Sequence, residues 1–532
     1  MSADSHSLIS YRSARPVAFS YRRQFAWVTL TVSFVVALTS STLADVKLPG
    51  LFSDNMVLQQ NMRVPIWGWA DEGEKVTVSF RNSKATALTK GGRWQVVLGS
   101  FKEGGPDQLT VSGQNTITLT NVMVGEVWVC SGQSNMEWPL SSSFESQGDI
   151  STSSNPMLRL FTVPRLKAEQ PVPDVKASWV ESSPESTPKF SAVAYYFGRA
   201  LQTARKVPVG LIHTSWGGSP AEVWMRQQVL DANPEYKKSI LDKYAADLNQ
   251  YQEDLARFNK EQEQLKQQGQ ASDKKAPQKP NWKPAELYNG MIVPLLPYAI
   301  KGAIWYQGES NAGRAYQYRS LFADMIRNWR QDWGEGNFTF LAVQLAPWDK
   351  NKKRSLEEIT AAPGDSDWAE LREAQIMAAQ TLPKVGIAVI TDVGDKDDIH
   401  PTRKQPVGER LALAAREIAY GEKLVYSGPT YKSMKISGNK IILTFNNVGR
   451  GLEARDGELK GFSIAGADQK FVLAKAAVQG NKVVVSNLQV SQPVAVRYGW
   501  ADYPVVNLWN KDGLPASPFR TDNFPMVTRP KN

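Results

Sequence analysis

Val127-Trp128-Val129-Cys130-Ser131-Gly132-Gln133-Ser134-Asn135-Met136 passes from a short apolar run straight into a small, polar turn. A buried strand of a parallel sheet presents a nucleophile at its carboxyl end in this way. Ser134 is the nucleophile candidate. The same string also suits an ordinary strand-to-helix turn with a capping serine. What stands at the ends of neighbouring strands decides between the two.

Working outward, apolar strand candidates recur at 125–130, 207–212, 302–306, 339–345 and 385–391. Helix candidates at 193–205, 316–329, 368–379 and 407–420 alternate with them. Continuous apolar strands alternating with helices predict an α/β domain over 121–423, its parallel sheet covered on both faces. A helical insertion at 225–284 interrupts it. Its 242–268 stretch is polar and helix-favouring, and the following run to Pro284 is rich in Gln, Lys and Pro. A solvated arm is the expectation, and an arm that covers the site is the alternative.

The flanks read as β. Short β-branched and aromatic runs at 64–69, 75–80, 94–98, 108–111 and 116–119 are separated by Gly, Asn and Asp turns. They predict an N-terminal β-sandwich, jelly-roll-like, over 45–120. Runs at 441–445, 470–473, 482–485 and 493–498 predict a β-rich C-terminal domain over 424–532.

Residues 1–44 read as an export signal. Arg22 and Arg23 precede an apolar run at 25–38, and Thr42-Leu43-Ala44 supplies small residues, so cleavage is expected after Ala44. The run is short for a membrane anchor, and no other segment could span a bilayer. The expected location is periplasmic or extracellular. The formal charge is +10, of which the first 44 residues supply +3. No basic block alternates with aromatics as a nucleic-acid groove requires, so a nucleic-acid partner is not expected. Cys130 is the only cysteine, which excludes an internal disulfide. Lying inside the apolar run, it reads as a core residue. Most of the seventeen Trp are expected in the core as well.

Three further stretches sit where strands end. Gly217 and Gly218 follow the strand at 207–212 and let backbone N–H groups approach a ligand. Asn311 follows the strand at 302–306, with a carboxamide able to donate to an oxyanion. His400 follows the strand at 385–391, beside Asp395, Asp397 and Asp398. Ester hydrolysis needs a hydroxyl nucleophile, a base, an orienter for the base and oxyanion donors. Only three histidines exist, and His6 lies in the export segment. The base is therefore His213 or His400, and His400 is preferred for its local carboxylates. Two distant histidines and one cysteine make no zinc cluster, so no metal or cofactor is expected. Glu137, Glu222 and Glu309 leave a glycosidase arrangement open. A non-catalytic glycan-binding protein is the rival from another class.

These residues carry a resemblance. Gly-Gln-Ser-Asn-Met at 132–136, the stretch at 215–224, that at 287–294, Trp-Tyr-Gln-Gly-Glu-Ser-Asn at 305–311 and Asp-Ile-His-Pro at 398–401 resemble bacterial sialate O-acetylesterases of the SGNH hydrolase superfamily. Residues 55–59 and 504–522 fit too, so the resemblance spans nearly the whole mature chain. It implies a flavodoxin-like three-layer α/β/α domain with appended β domains. It implies Ser134 as nucleophile and His400 as base, with the Ser134 N–H, a Gly217 or Gly218 N–H and the Asn311 side chain as the oxyanion hole. The superfamily places its acid three before the histidine, at Asp397. Members of this family vary there and often carry an acid two before, at Asp398, so both remain. Gln133, Trp216, Glu222, Trp305 and Gln307 are expected to line a sugar-acetyl pocket. The implied substrate is an acetylated carbohydrate, foremost a sialic acid O-acetyl ester, with acetylxylan or another plant glycan as the alternative.

Overall fold

Strand β1, Thr116–Gly132, is the spine of the molecule. Its first half alternates between exposed and buried residues, whereas its second half is buried throughout. Alternation marks an antiparallel strand with one wet face, and unbroken burial marks a parallel strand covered on both sides. The pairing agrees. Residues 116–124 pair antiparallel with Gly104–Ser112 and, farther along, parallel with Val57–Gln59. Residues 126–132 pair parallel with strands on either side. Asn121, with φ 55°, sits between the halves, in a left-handed conformation that Asn tolerates well. Two separate strands were expected from the sequence. One strand crosses the 120/121 position instead.

The computed structural model describes residues 45–351, 354–361 and 363–530. The export-signal reading of 1–44 lies outside the described residues. Beside β1 stand β2 (Asn155–Thr162), β3 (Val209–Ser215), β4 (Gly302–Tyr306), β5 (Thr339–Val343) and β6 (Val385–Ala388). The sheet order is β6-β5-β4-β1-β3-β2, and every neighbouring pair is parallel. The helices are α1 (Ala192–Arg205), α2 (Lys243–Gln267), α3 (Ala315–Trp333), α4 (Asp367–Thr381) and α5 (Gln405–Ile418). Val127 and Val129 share one core with α3 and α4. Trp128 and Cys130 share the opposite core with α1 and α5. This period-two division of one strand between two cores covers the sheet on both faces.

Strand β2 was not expected. Arg159 interrupts its apolar pattern, yet the side chain is buried and donates to Pro156 O, Asn55 Oδ1 and Asn121 Oδ1. Helix α2 has no buried residue, as a solvated arm should. The C-terminal region holds two four-stranded sheets around their own core, including Ile441, Leu443, Val485 and Tyr498. No helix of the described residues is long and apolar enough to cross a membrane.

Gly132 ends β1 at φ 143°, and a Cβ there would stand 2.2 Å from Tyr306 O. Gly132→Ala should therefore lower unfolding stability by ~3 kcal/mol or more, read by denaturant titration. Gly148→Ala, where a Cβ meets nothing within 4 Å, should change it by under ~1 kcal/mol.

Candidate active site

In a parallel sheet all carboxyl ends point one way, so the turns after β1, β3, β4 and β6 gather on one side. Ser134 opens a short helix, Ser134–Glu137. The turn before it is clamped from two strands. The Gln133 N–H donates to Tyr306 O at 3.0 Å, and the Trp216 N–H donates to Gly132 O at 3.1 Å.

His400 Nε2 lies 2.8 Å from Ser134 Oγ. Its ring stacks on Trp138, with centroids 5.5 Å apart and planes at 19°. The two rival carboxylates behave differently. Asp398 Oδ1 accepts the His400 backbone N–H at 2.9 Å and stands 3.6 Å from Nδ1. The latter distance exceeds a hydrogen bond. Asp397 instead accepts from Lys396 Nζ at 2.5 Å. The acidic turn is organised by Asp395, whose Oδ1 accepts the N–H groups of Asp397 and Asp398 at 2.8 and 3.1 Å. Burial lowers the pKa of His400, and Lys404 lowers it further against the opposing pull of Asp398. The imidazole is thereby kept neutral, the form that can accept a proton.

His213, the other base considered, is buried in β3 with Nε2 at 2.5 Å from Ser215 Oγ. Burial pushes its pKa down to about 4. It makes no hydrogen bond to Ser134.

Gly217 lies against the serine, because a Cβ on it would stand 3.2 Å from Ser134 Cβ. Its N–H, however, donates to Glu137 Oε2 at 2.8 Å. Gly218 is exposed, has φ 75°, and its carbonyl accepts from Ser310 Oγ at 2.9 Å. Asn311 is buried, and its Oδ1 accepts from Ala221 N and Gln307 Nε2. Its Nδ2 donates to Glu222 Oε2 at 2.9 Å, which leaves one amide hydrogen.

Four of the five expected pocket residues are framework instead. Trp305 is wholly buried, edge-on to Trp224 and Trp329. Gln307 is also wholly buried and bonds Tyr318, Asn311 and Ser219. Glu222 is buried against Arg314 and Asn311. Gln133 Oε1 is buried and accepts from Gly308 N at 3.4 Å. Trp216 alone is half exposed. The three glutamates of the glycosidase alternative each have a partner of their own. Glu137 pairs with Arg165, Glu222 with Arg314, and Glu309 accepts from Asn135 Nδ2.

Several residues at the site were missed. Trp282 returns from the insertion, and the notional Cβ of Gly218 would lie 4.0 Å from it. It meets Trp216 edge-on at 5.7 Å and 89°. Arg165 lies over the Trp216 ring at 5.5 Å and Lys167 over Trp282 at 4.1 Å. No local pattern ties these residues to Ser134. Lys404 and Trp138 did carry a signal, each four residues beyond His400 or Ser134, and Lys404 is buried beneath the pair.

The chain is similar to known proteins over most of its length. Residues 124–283 and 278–417 match the family described as "Carbohydrate esterase, sialic acid-specific acetylesterase". Human sialate O-acetylesterase is 29% identical over 514 residues, covering 88% of this chain and 91% of that protein. The mouse sialate O-acetylesterase is 29% identical, covering 85% and 89%. A carbohydrate acetylesterase from Xanthomonas citri superposes with a TM-score of 0.77 at 38% identity, covering 90% of this chain and all of that one. The family match spans more than half of the chain, and it runs from inside β1 to inside α5. The chain belongs to the carbohydrate esterase family of sialic acid-specific acetylesterases.

Proposed function

We propose that this carbohydrate esterase removes O-acetyl groups from sialic acids through an acetyl-Ser134 intermediate. The contact that carries the reading is Ser134 Oγ to His400 Nε2 at 2.8 Å, with the imidazole held neutral. His400 takes the hydroxyl proton as Oγ attacks the acetyl carbonyl. The oxyanion is met by the Ser134 N–H, free as the first helical donor, and by the remaining Asn311 amide hydrogen. Gly218 is the better third donor, because Glu137 holds the Gly217 N–H. His400 then protonates the departing sugar oxygen. It next deprotonates the water that releases acetate. Asp398 orients the imidazole, on the strength of its contact with the histidine backbone.

The aromatic corner of Trp216 and Trp282, flanked by Arg165 and Lys167, suits a sugar ring bearing an anionic group. Both cations already have carboxylate partners, Glu137 and Glu286. That pairing favours the second reading, a neutral acetylated plant glycan. Leaving β2 aside, the strands stand in the order second, first, third, fourth, fifth, which supports the flavodoxin-like SGNH reading. A division into modules 45–120, 121–423 and 424–532 and export directed by 1–44 belong to the same proposal.

Ser134→Ala and His400→Ala should each cut acetate release by about three orders of magnitude with the fold intact. Ser134→Ala with full activity would sink the mechanism. Asp398→Asn should lower kcat by about tenfold or more, and Asp397→Asn by less than about twofold. Because the His400 pKa is lowered, kcat/KM should persist as pH falls past the ordinary imidazole value of ~6.5 and drop only below it.

Arg165→Met separates the two substrates. Its kcat/KM on acetylated sialic acid should fall by about tenfold, while that on an acetylated neutral sugar stays within about twofold. An equal loss on both would favour the plant-glycan reading.

A further inference from the structure

Beneath Ser134 lies a charged group that the acetyl-transfer steps leave unused. Lys404 is 1% exposed, and it immediately precedes α5. A cation at a helix N-terminus opposes the helix dipole, and a buried ammonium loses its hydration. Both costs call for compensating partners. Lys404 Nζ donates to Asn135 Oδ1 at 2.5 Å. It also faces the rings of Trp138 and Tyr306 at 5.6 and 5.5 Å. Asn135 spends its other amide atom on two further acceptors. Nδ2 donates to Glu309 Oε1 at 2.7 Å and to Ile399 O at 3.0 Å. The lysine can only donate and the carboxylate accepts, so the orientation of the amide between them is fixed.

Ile399 directly precedes His400, and Asn135 directly follows Ser134. One carboxamide therefore ties the nucleophile's turn, borne by the sheet, to the histidine's loop. We infer that Lys404, Asn135 and Glu309 form a buried positioning network that holds His400 against Ser134 and keeps a positive charge under the pair. It rests on the Ser134–His400 mechanism proposed above.

The charges work in one direction. Lys404 faces Glu309, Asp398 and His400. Glu309 also faces the phenols of Tyr306 and Tyr318. Burial lowers the Lys404 pKa to about 7, against the pull of Glu309 and Asp398. Below that pH Lys404 is an ammonium, over the range where His400 would otherwise gain its proton. Repulsion opposes protonation of the imidazole there and moves it to lower pH. Burial raises the Glu309 pKa, and its Oε2 has no hydrogen-bond partner among the described residues. Asn135 supplies the link between Glu309 and the ammonium.

Kinetics on an acetylated sugar, beside thermal melts, test the network. Asn135→Ala should lower kcat by about tenfold or more with KM within about twofold. Lys404→Met keeps the length and removes the charge, so the acid limb of kcat/KM should move up by about half a pH unit. Glu309→Ala should resemble Asn135→Ala, and Glu309→Gln, which keeps an acceptor for Asn135, should recover most of kcat. Folded Asn135→Ala and Lys404→Met enzymes with wild-type kcat and pH profile would overturn the network. If those two variants do not fold, equal kcat in Glu309→Ala and Glu309→Gln overturns it. Ser134→Ala, run in parallel, separates the two failures. Activity surviving there overturns the serine mechanism, whereas its loss beside wild-type behaviour of the network variants overturns only the network.

Discussion

The closeness of β1 and β4 at Gly132 governs the site. A side chain at 132 would overlap the Tyr306 carbonyl, and that same carbonyl receives the Gln133 N–H. From the other side, Trp216 holds the Gly132 carbonyl. The position of Ser134 is therefore a consequence of sheet register, and it inherits the rigidity of six parallel strands. His400 has no such support. β6 ends at Ala388, and the next eleven residues are turn and loop. The geometry of the pair depends on how that loop is held, which is where Asp395, Trp138 and Asn135 enter.

The α/β alternation was legible because continuous apolar strands and amphipathic helices have distinct periods, and β4 ran from Gly302 to Tyr306 as read. β2 was missed because buried Arg159 breaks the apolar pattern while its guanidinium is met by the distant Asn55 and Asn121. The join within β1 was hidden for a different reason. Its two halves obey two burial rules, so a single strand looked like two.

At the site, the nearness of the string around Ser134 to the histidine loop could be read, because chemistry demands particular residue types at strand ends. The pocket could not. Gln133, Glu222 and Gln307 stand in site motifs, yet they are spent on holding the β4 turn and Asn311. A polar residue in such a motif either faces ligand or satisfies buried backbone, and residue type does not distinguish the two. Trp282 was invisible for the opposite reason. It comes near Gly218 from an insertion whose long helix has no buried residue, and the polar composition of that segment made a solvated arm the first expectation.

The histidine's carboxylate looks weak by itself. Asp398 has a side chain 60% exposed and stands 3.6 Å from Nδ1, where water screens its charge. Such an acid does not fix a ring alone. The stacked Trp138 restricts the plane of the imidazole, and the Asn135 bond to Ile399 restricts the backbone that carries it. Placement of His400 is thus shared among an aromatic face, a buried amide and a solvated carboxylate. In the proposed mechanism, with placement shared in this way, an acid two residues before the histidine suffices. The position three before it is left to pair with Lys396 on the surface.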